Sequence, residues 1–350
     1  MKAIKDYLRE MDLVSGSTGL LGMHVLYDLT AKGRHVRALF RNKNKISLVR
    51  GLFEFYDPEN VEEKWSLIEW FECDILDVFQ LEKAFEGISD VYHCAATVSF
   101  RRREFSSMIT TNRYGTANMV NLSIDHNVRK FCHVSSTAAV GKSVRNQSKD
   151  VVETDKWEQN PDTTGYAVSK YLSEKEVWRG IEEGLNAVIV NPCVILGPGD
   201  WNESSLTIFR AIHKGLRFYP PGANAIVDVR DVSKRMLAIM DSEISSERFL
   251  IIGENITYKK LFDTIADALG KKKPTIRVNK LLMGISWRLA AFFSFITGKP
   301  TALTKQSTKS AFSVTRYSSE KIDNWIPTKY YNVKESVDNS VQFSFFFVKS

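Results

Sequence analysis

Cysteine and proline are scarce, with four and nine residues in a chain of 350. Cys73, Cys94, Cys132 and Cys193 lie far apart and form no CxxC pair, which excludes a zinc knuckle or a disulfide framework and leaves them as reduced core thiols. There is no internal repeat and no low-complexity tract. Nor is there a run of the ~20 apolar residues that a membrane span requires. The nearest candidate, Leu281 to Ile296, is shorter and carries Arg288 in its middle. It reads as a buried amphipathic helix, with contact to a membrane surface or a partner as the weaker alternative. Met1 to Glu10 is charged and lacks the apolar core of a secretory signal, so a cytoplasmic location is expected. Charge of one sign is not concentrated either: 48 Lys and Arg against 41 Asp and Glu leave a diffuse +7. That balance suits an anionic small molecule better than a nucleic acid. No metal site is expected, because His93 and His133 have no suitably spaced second ligand.

What is present is an alternation of strand-like and helical segments. Apolar runs at Asp12 to Ser15, His35 to Phe40, Ile68 to Cys73, Asp90 to Cys94, Lys130 to Ser135 and Ala187 to Asn191 read as strands. Between them, Leu20 to Ala31, Leu81 to Phe85, Ile109 to Asp125 and Tyr166 to Glu182 read as helices, and Lys142 to Thr164 as loop. This rhythm predicts an α/β, Rossmann-like, doubly wound parallel sheet. Residues 1–191 form its dinucleotide-binding domain, with a strand and a helix returning at about 226–253. After Pro192 the pieces are less regular, with helices around Val232 to Met240 and Tyr258 to Leu269. Residues 192–225 and 254–350 are expected to form a smaller, mostly helical C-terminal substrate region over the carboxyl edge of the sheet, where ligands of such folds bind.

Gly16-Ser17-Thr18-Gly19-Leu20-Leu21-Gly22 follows the first strand and opens a helix. Glycines there permit a tight turn, close approach of a pyrophosphate and close helix packing, and the helix start offers free N–H groups to phosphate. After the second strand the chain reads Arg41-Asn42-Lys43-Asn44-Lys45 with no carboxylate. An acid there would hold a ribose 2′-hydroxyl, whereas Arg41, helped by Lys43 or Lys45, can grip a 2′-phosphate. NADP(H) is therefore expected, with NAD(H) as the alternative. After the third strand, Asp74 could accept the adenine amino group while Asp77 caps the next helix. Ala95, Ala96 and Thr97 are small residues beneath the passing dinucleotide.

Tyr166 and Lys170 stand four apart on one face of a helix. A nearby ammonium stabilises phenolate and lowers the ordinary tyrosine pKa of about 10, which makes the phenol a general acid–base. About thirty residues earlier, the fifth strand runs into Ser135-Ser136-Thr137, and a hydroxyl there can orient a substrate oxygen. Arg101 to Arg103 could face an anionic substrate, although a solvated helix face is favoured. Trp201, Phe209, Phe218 and Tyr219 could line an apolar pocket or belong to the core; His93 and His133 read as packed histidines.

These signals, in this order, resemble the extended short-chain dehydrogenase/reductase (NAD-dependent epimerase/dehydratase) family. Gly33 to Arg41 and Tyr92 to Ala96 are similar to its dihydroflavonol 4-reductase and 3β-hydroxysteroid dehydrogenase branch. Asn112-Arg113-Tyr114-Gly115-Thr116 resembles the family's NxxGT, Asn191 to Gly199 its strand beside the nicotinamide, and Val227 to Val232 its VxDV. The resemblance implies Tyr166 as acid–base, Lys170 lowering its pKa and binding the nicotinamide ribose, Ser136 (or Ser135) polarising the substrate oxygen, and Asn112 bracing the site. It places the cofactor against Gly16, Thr18, Gly19, Leu20, Leu21, Gly22, Arg41, Lys45, Asp74, Ile75, Ala95, Ala96, Thr97, Val134, Tyr166, Lys170, Pro192 and Val194. Ala138-Ala139 replace the Asp-Glu pair of the family's dehydratases. What remains is reduction of a ketone or aldehyde, or oxidation of the alcohol, by a monomer or homodimer. Sugar-nucleotide epimerisation is the alternative. A non-catalytic NADP-binding regulator is the third reading, less favoured because such relatives typically lose the tyrosine or the lysine.

Overall fold

The structure, a computed structural model, describes residues 11–99, 101–141, 150–160, 163–279 and 311–349. The expected helix at Leu281 to Ile296, the segment Met1 to Glu10 and part of the 142–164 loop lie outside them. Six strands fall where the apolar runs place them, with ends moved by one or two residues: β1 Met11–Ser15, β2 His35–Phe40, β3 Ile68–Glu72, β4 Ile88–His93, β5 Lys130–Val134 and β6 Ala187–Pro192. A further strand, β10 (Glu247–Ile251), joins them in a parallel seven-stranded sheet of order β10-β6-β5-β4-β1-β2-β3. The order reverses direction between β1 and β4, the crevice where dinucleotides lie in this fold.

Both faces of the sheet are covered, as a parallel sheet requires. Val14, Val36, Ala38, Tyr92, Cys132, Val188 and Val190 face one core. Their alternating neighbours Leu13, Leu39, Val91, Phe131, Ala187 and Ile189 face the other. Helix α1 (Leu20–Ala31) packs on the first face beside the returning helix Val229–Met240. Gly115–Asp125 and Gly165–Glu182 cover the second face. A separate three-stranded sheet, β11-β9-β7, is built from Glu254–Thr257, Ala223–Asp228 and Val194–Leu196, and the two-residue β8 (Phe218–Tyr219) pairs with Ile276–Arg277.

Two expectations need correction. The expected single helix at Ile109 to Asp125 is a short helix Phe105–Ile109, a π-helical turn Thr110–Tyr114 and a second helix Gly115–Asp125. Helices Ile46–Tyr56 and Val61–Ser66 fill the β2–β3 connection, which the sequence pattern leaves unassigned. The helix after β3 begins at Val78 rather than Leu81, because the Asp77 carboxylate accepts the Gln80 N–H at 3.1 Å. The chain's last helix, Val333–Lys349, packs against Ile46–Tyr56 and Tyr258–Ala268.

Candidate active site

At the end of β1 the backbone turns through Gly16 with φ +67°, and a Cβ there would lie 2.7 Å from the Ala95 backbone. At Gly22 a Cβ would fall 2.1 Å from the Gly16 carbonyl oxygen. One glycine thus lets the loop pass under the exit of β4, and the other seats α1 on the loop. Gly19 caps α1 without a side-chain bond, and the first turn holds no acid. The N–H groups of Leu20, Leu21 and Gly22 are therefore free of helical acceptors and sit at the positive end of the helix. Buried Ser17 ties the loop to β2 by donating to the Leu39 carbonyl at 2.7 Å. The half-buried Thr18 completes the turn.

Around this cradle the carboxyl ends of the strands gather the other cofactor candidates. Ala95, Ala96 and Thr97 follow β4, Val134 ends β5, Pro192 ends β6 and Val194 opens β7. Arg41 follows β2, 60% exposed, with Nη1 3.5 Å from Asp74 Oδ2. Asp74 also accepts the Leu76 N–H at 3.0 Å. Ile75 is buried against Gly115, and its carbonyl accepts Asn118 Nδ2 at 3.0 Å. Lys45, by contrast, is drawn to Glu203. The cradle fits a dinucleotide: its open helical N–H groups would receive the phosphates, and Gly16 and Gly22 let the loop lie against the Ala95 backbone and the helix start.

The helix Gly165–Glu182 starts at Thr164, whose hydroxyl accepts the Ala167 N–H at 3.1 Å. This start places Tyr166 in the first turn and Lys170 one turn on. Ser136 follows β5, accepts the Ala138 N–H at 3.2 Å and hydrogen-bonds the Tyr166 side chain. Lys170, 3% exposed, donates to the Val134 carbonyl at 2.8 Å. Asn112 sits in the π-helical turn, a distortion common at functional sites. Its amide bonds both backbone groups of Thr97, at 2.7 and 2.9 Å, and donates to Ser169 Oγ at 3.0 Å. It thereby ties the β4 loop to the tyrosine helix.

The expected effect of Lys170 on Tyr166 is not seen. Burial raises the phenol's pKa above its ordinary value, and the Ser136 hydrogen bond is what opposes the rise. Lys170 is itself pushed down to about 8, chiefly by burial, against attraction by Cys94 and Glu174.

His93 is more than a packed histidine. Its Nε2 meets Thr116 Oγ1 at 2.9 Å and its Nδ1 meets Ser15 Oγ at 2.7 Å. Thr116 spends its one hydroxyl proton on the Asn112 carbonyl at 2.6 Å, so Nε2 must carry the hydrogen and Nδ1 must accept from Ser15. Ser15 in turn accepts the Ala95 N–H at 3.3 Å. The chain joins the glycine loop to the π-helical turn and requires a neutral ring; burial holds His93 at about 3. His133 stacks on it at 5.2 Å with neither ring nitrogen bonded.

Sequence reasoning missed Glu174 and the bracing role of Asn191. Asn191 Nδ2 donates to the Ser136 carbonyl at 2.9 Å and to Glu174 Oε1. A carboxylate four residues after Lys170 was the available signal. Arg101 and Arg103 pair with Glu104 rather than facing the crevice, and the side chain of Arg102 lies outside the described residues. Among the four aromatics, Phe209 is core, with Trp201 stacked on it at 5.5 Å; Phe218 is exposed and Tyr219 half-buried. No metal-ligating group of three or more His, Cys, Asp or Glu occurs among the described residues.

Residues 13–253 match the model of the NAD dependent epimerase/dehydratase family. Sterol demethylase protein B of Methylococcus capsulatus is 31% identical over 277 residues, 78% of this chain and 79% of that protein. Cinnamoyl-CoA reductase 1 of Petunia hybrida is 27% identical over 248 residues, 68% of this chain and 71% of the reductase. Among solved structures, Gre2 of Candida albicans in complex with NADPH superposes with a TM-score of 0.72 at 22% identity, covering 95% of this chain and 98% of that one.

Proposed function

The chain belongs to the NAD dependent epimerase/dehydratase family, and from that premise we propose that it is an NADP(H)-dependent oxidoreductase, reducing a ketone or aldehyde or oxidising the alcohol, with Tyr166 as general acid–base. The observation that carries this reading is the hydrogen bond between Tyr166 and Ser136 at the carboxyl edge of the sheet, with Lys170 one helical turn below. The Gly16–Gly22 cradle would hold the dinucleotide, which when bound would supply the hydride. Ser136 and Tyr166 hold the substrate oxygen from two sides, fixing the carbonyl carbon above the cradle. As the oxygen gains charge, Tyr166 passes it the phenolic proton. Lys170, whose proton is loosened by burial to a pKa of about 8, is suited to return a proton to the resulting phenolate.

Arg41 and the lack of an acid at Arg41 to Lys45 support NADP over NAD. Gre2 is a protein of this fold seen with NADPH. Reduction is favoured over epimerisation by the cinnamoyl-CoA reductase relative and by an exchangeable NADP. The relatives' names, sterol and cinnamoyl, support a carbonyl carried on a bulky apolar skeleton. The test follows NADPH oxidation by absorbance with a 3-ketosteroid, cinnamoyl-CoA and a dihydroflavonol. At least one is expected to be turned over. Tyr166→Phe is expected to lose about a hundredfold or more in rate while binding NADPH nearly as before. Undiminished turnover in that variant, or NADPH binding without turnover of any carbonyl, would sink the reading.

A further inference from the structure

The stripe that presents Tyr166 and Lys170 continues one turn further to Glu174, a carboxylate only 2% exposed. An ionised acid this deep is costly unless its oxygens are satisfied. Here both are: Oε1 accepts Asn191 Nδ2, and Oε2 accepts Arg248 Nη1 at 3.1 Å. Arg248 is fixed in turn by the Glu153 carbonyl, which accepts its Nε at 3.0 Å, while Glu153 Oε1 accepts the Leu250 N–H at 2.8 Å. The other proton of the Asn191 amide goes to the Ser136 carbonyl at 2.9 Å. Glu174 therefore reaches the residue that bonds Tyr166 through one intervening side chain.

We propose that Glu174 is a positioning residue of this site, holding the Ser136 backbone through Asn191 and keeping the Lys170 ammonium charged. The proposal rests on the roles given above to Tyr166 and Lys170. The groups acting on Lys170 are Glu174 on its own helix, Cys94 just after β4, and the imidazoles of His93 and His133 on β4 and β5, with Tyr166 one turn earlier on the helix. Burial lifts the Cys94 thiol to about 12 and keeps both imidazoles uncharged. Among the described residues, Glu174 is thus the charge that opposes the burial of Lys170 near pH 8. Arg248 on β10, Asn191 on β6 and the Ser135 hydroxyl face Glu174 itself and favour its ionised form, opposing but not outweighing the burial that raises its pKa.

The experiment is a fluorescence titration with NADPH from pH 7 to 10. Wild-type affinity is expected to fall as pH rises through about 8, where Lys170 loses its charge, and Lys170→Met is expected to abolish that fall. In Glu174→Gln, which keeps an acceptor for Asn191, the fall is expected at lower pH, so that affinity at pH 8.5 drops about threefold to tenfold. Glu174→Asp is expected to restore the charge and move the profile back toward wild type, an effect that a merely structural loss cannot produce. A thermal melt of each variant confirms that it is folded. A Glu174→Gln profile superimposable on wild type, or a wild-type profile flat across this range, overturns the inference. No NADPH binding by wild type at any pH overturns the proposed oxidoreductase itself, a result distinct from both.

Discussion

At the scale of single residues, chemistry is set by what each side chain is denied. Tyr166 is denied water, which raises its pKa, and its hydrogen bond with Ser136 opposes that rise. Lys170 is denied water, so its proton is held more loosely than on an exposed lysine even though the ammonium donates to the Val134 carbonyl. Arg41 is the opposite case. It is 60% exposed and only 3.5 Å from Asp74, a loose pair that an incoming phosphate can outcompete. Arg41→Asp is accordingly expected to move cofactor preference from NADP toward NAD by about tenfold or more. Dissociation constants for both dinucleotides test this, and an unchanged ratio would show that Arg41 does not read the 2′-phosphate.

At the scale of elements, the strand–loop–helix unit from Met11 to Ala31 is held by contact too close for any side chain. The Gly16 carbonyl occupies the place of a Cβ at residue 22. Gly22→Ala must push the loop off the helix and is expected to cost about 1–3 kcal/mol, as overpacking does, together with most of the NADPH affinity. Urea denaturation and the same fluorescence titration measure both, and an alanine variant with wild-type values would show that the loop can yield. The π-helical turn works in a similar way. It directs the Asn112 side chain to Thr97 and Ser169 while its carbonyl accepts from Thr116 and Ser173. A regular helix over Ile109 to Asp125, the expectation from sequence, has no such irregular turn in which to hold that asparagine.

At the scale of the molecule, the buried titratable groups link stability to pH. His133 has a pKa pushed well below its ordinary value by burial, with no hydrogen bond to either nitrogen. When the solution is acidified, the unfolded imidazole takes up a proton near pH 6.5 and the folded one does not. Its contribution is therefore present at neutral pH and lost as pH falls below about 6.5. Asp12, raised to about 7 because burial outweighs Arg34, and Asp231, raised to about 6, act in the opposite sense and lose stability as pH rises. The clean measurement is a difference. His133→Leu is expected to lose less melting temperature between pH 7 and pH 5 than wild type, and an equal loss in both would contradict the argument.

Periodicity and spacing are local properties, so the sequence made the parallel sheet legible, with β2 and α1 placed to the residue, and set Tyr166 and Lys170 on one helical face. The glycine loop was legible because only a residue without a Cβ fits such a turn. The helix Ile46–Tyr56 was not, and one reason lies nearly three hundred residues away. Gly51 interrupts its pattern and is needed because the Phe347 ring occupies the space of a Cβ there. The same holds for ionisation. The sequence determined that a phenol, a hydroxyl and an amine would come together. Only the tertiary structure decided that burial, acting on both groups, dominates their pKa values, and that Glu174, Asn191 and Arg248 stand behind them. Desolvation depends on everything that surrounds a group, and no spacing along the chain encodes it.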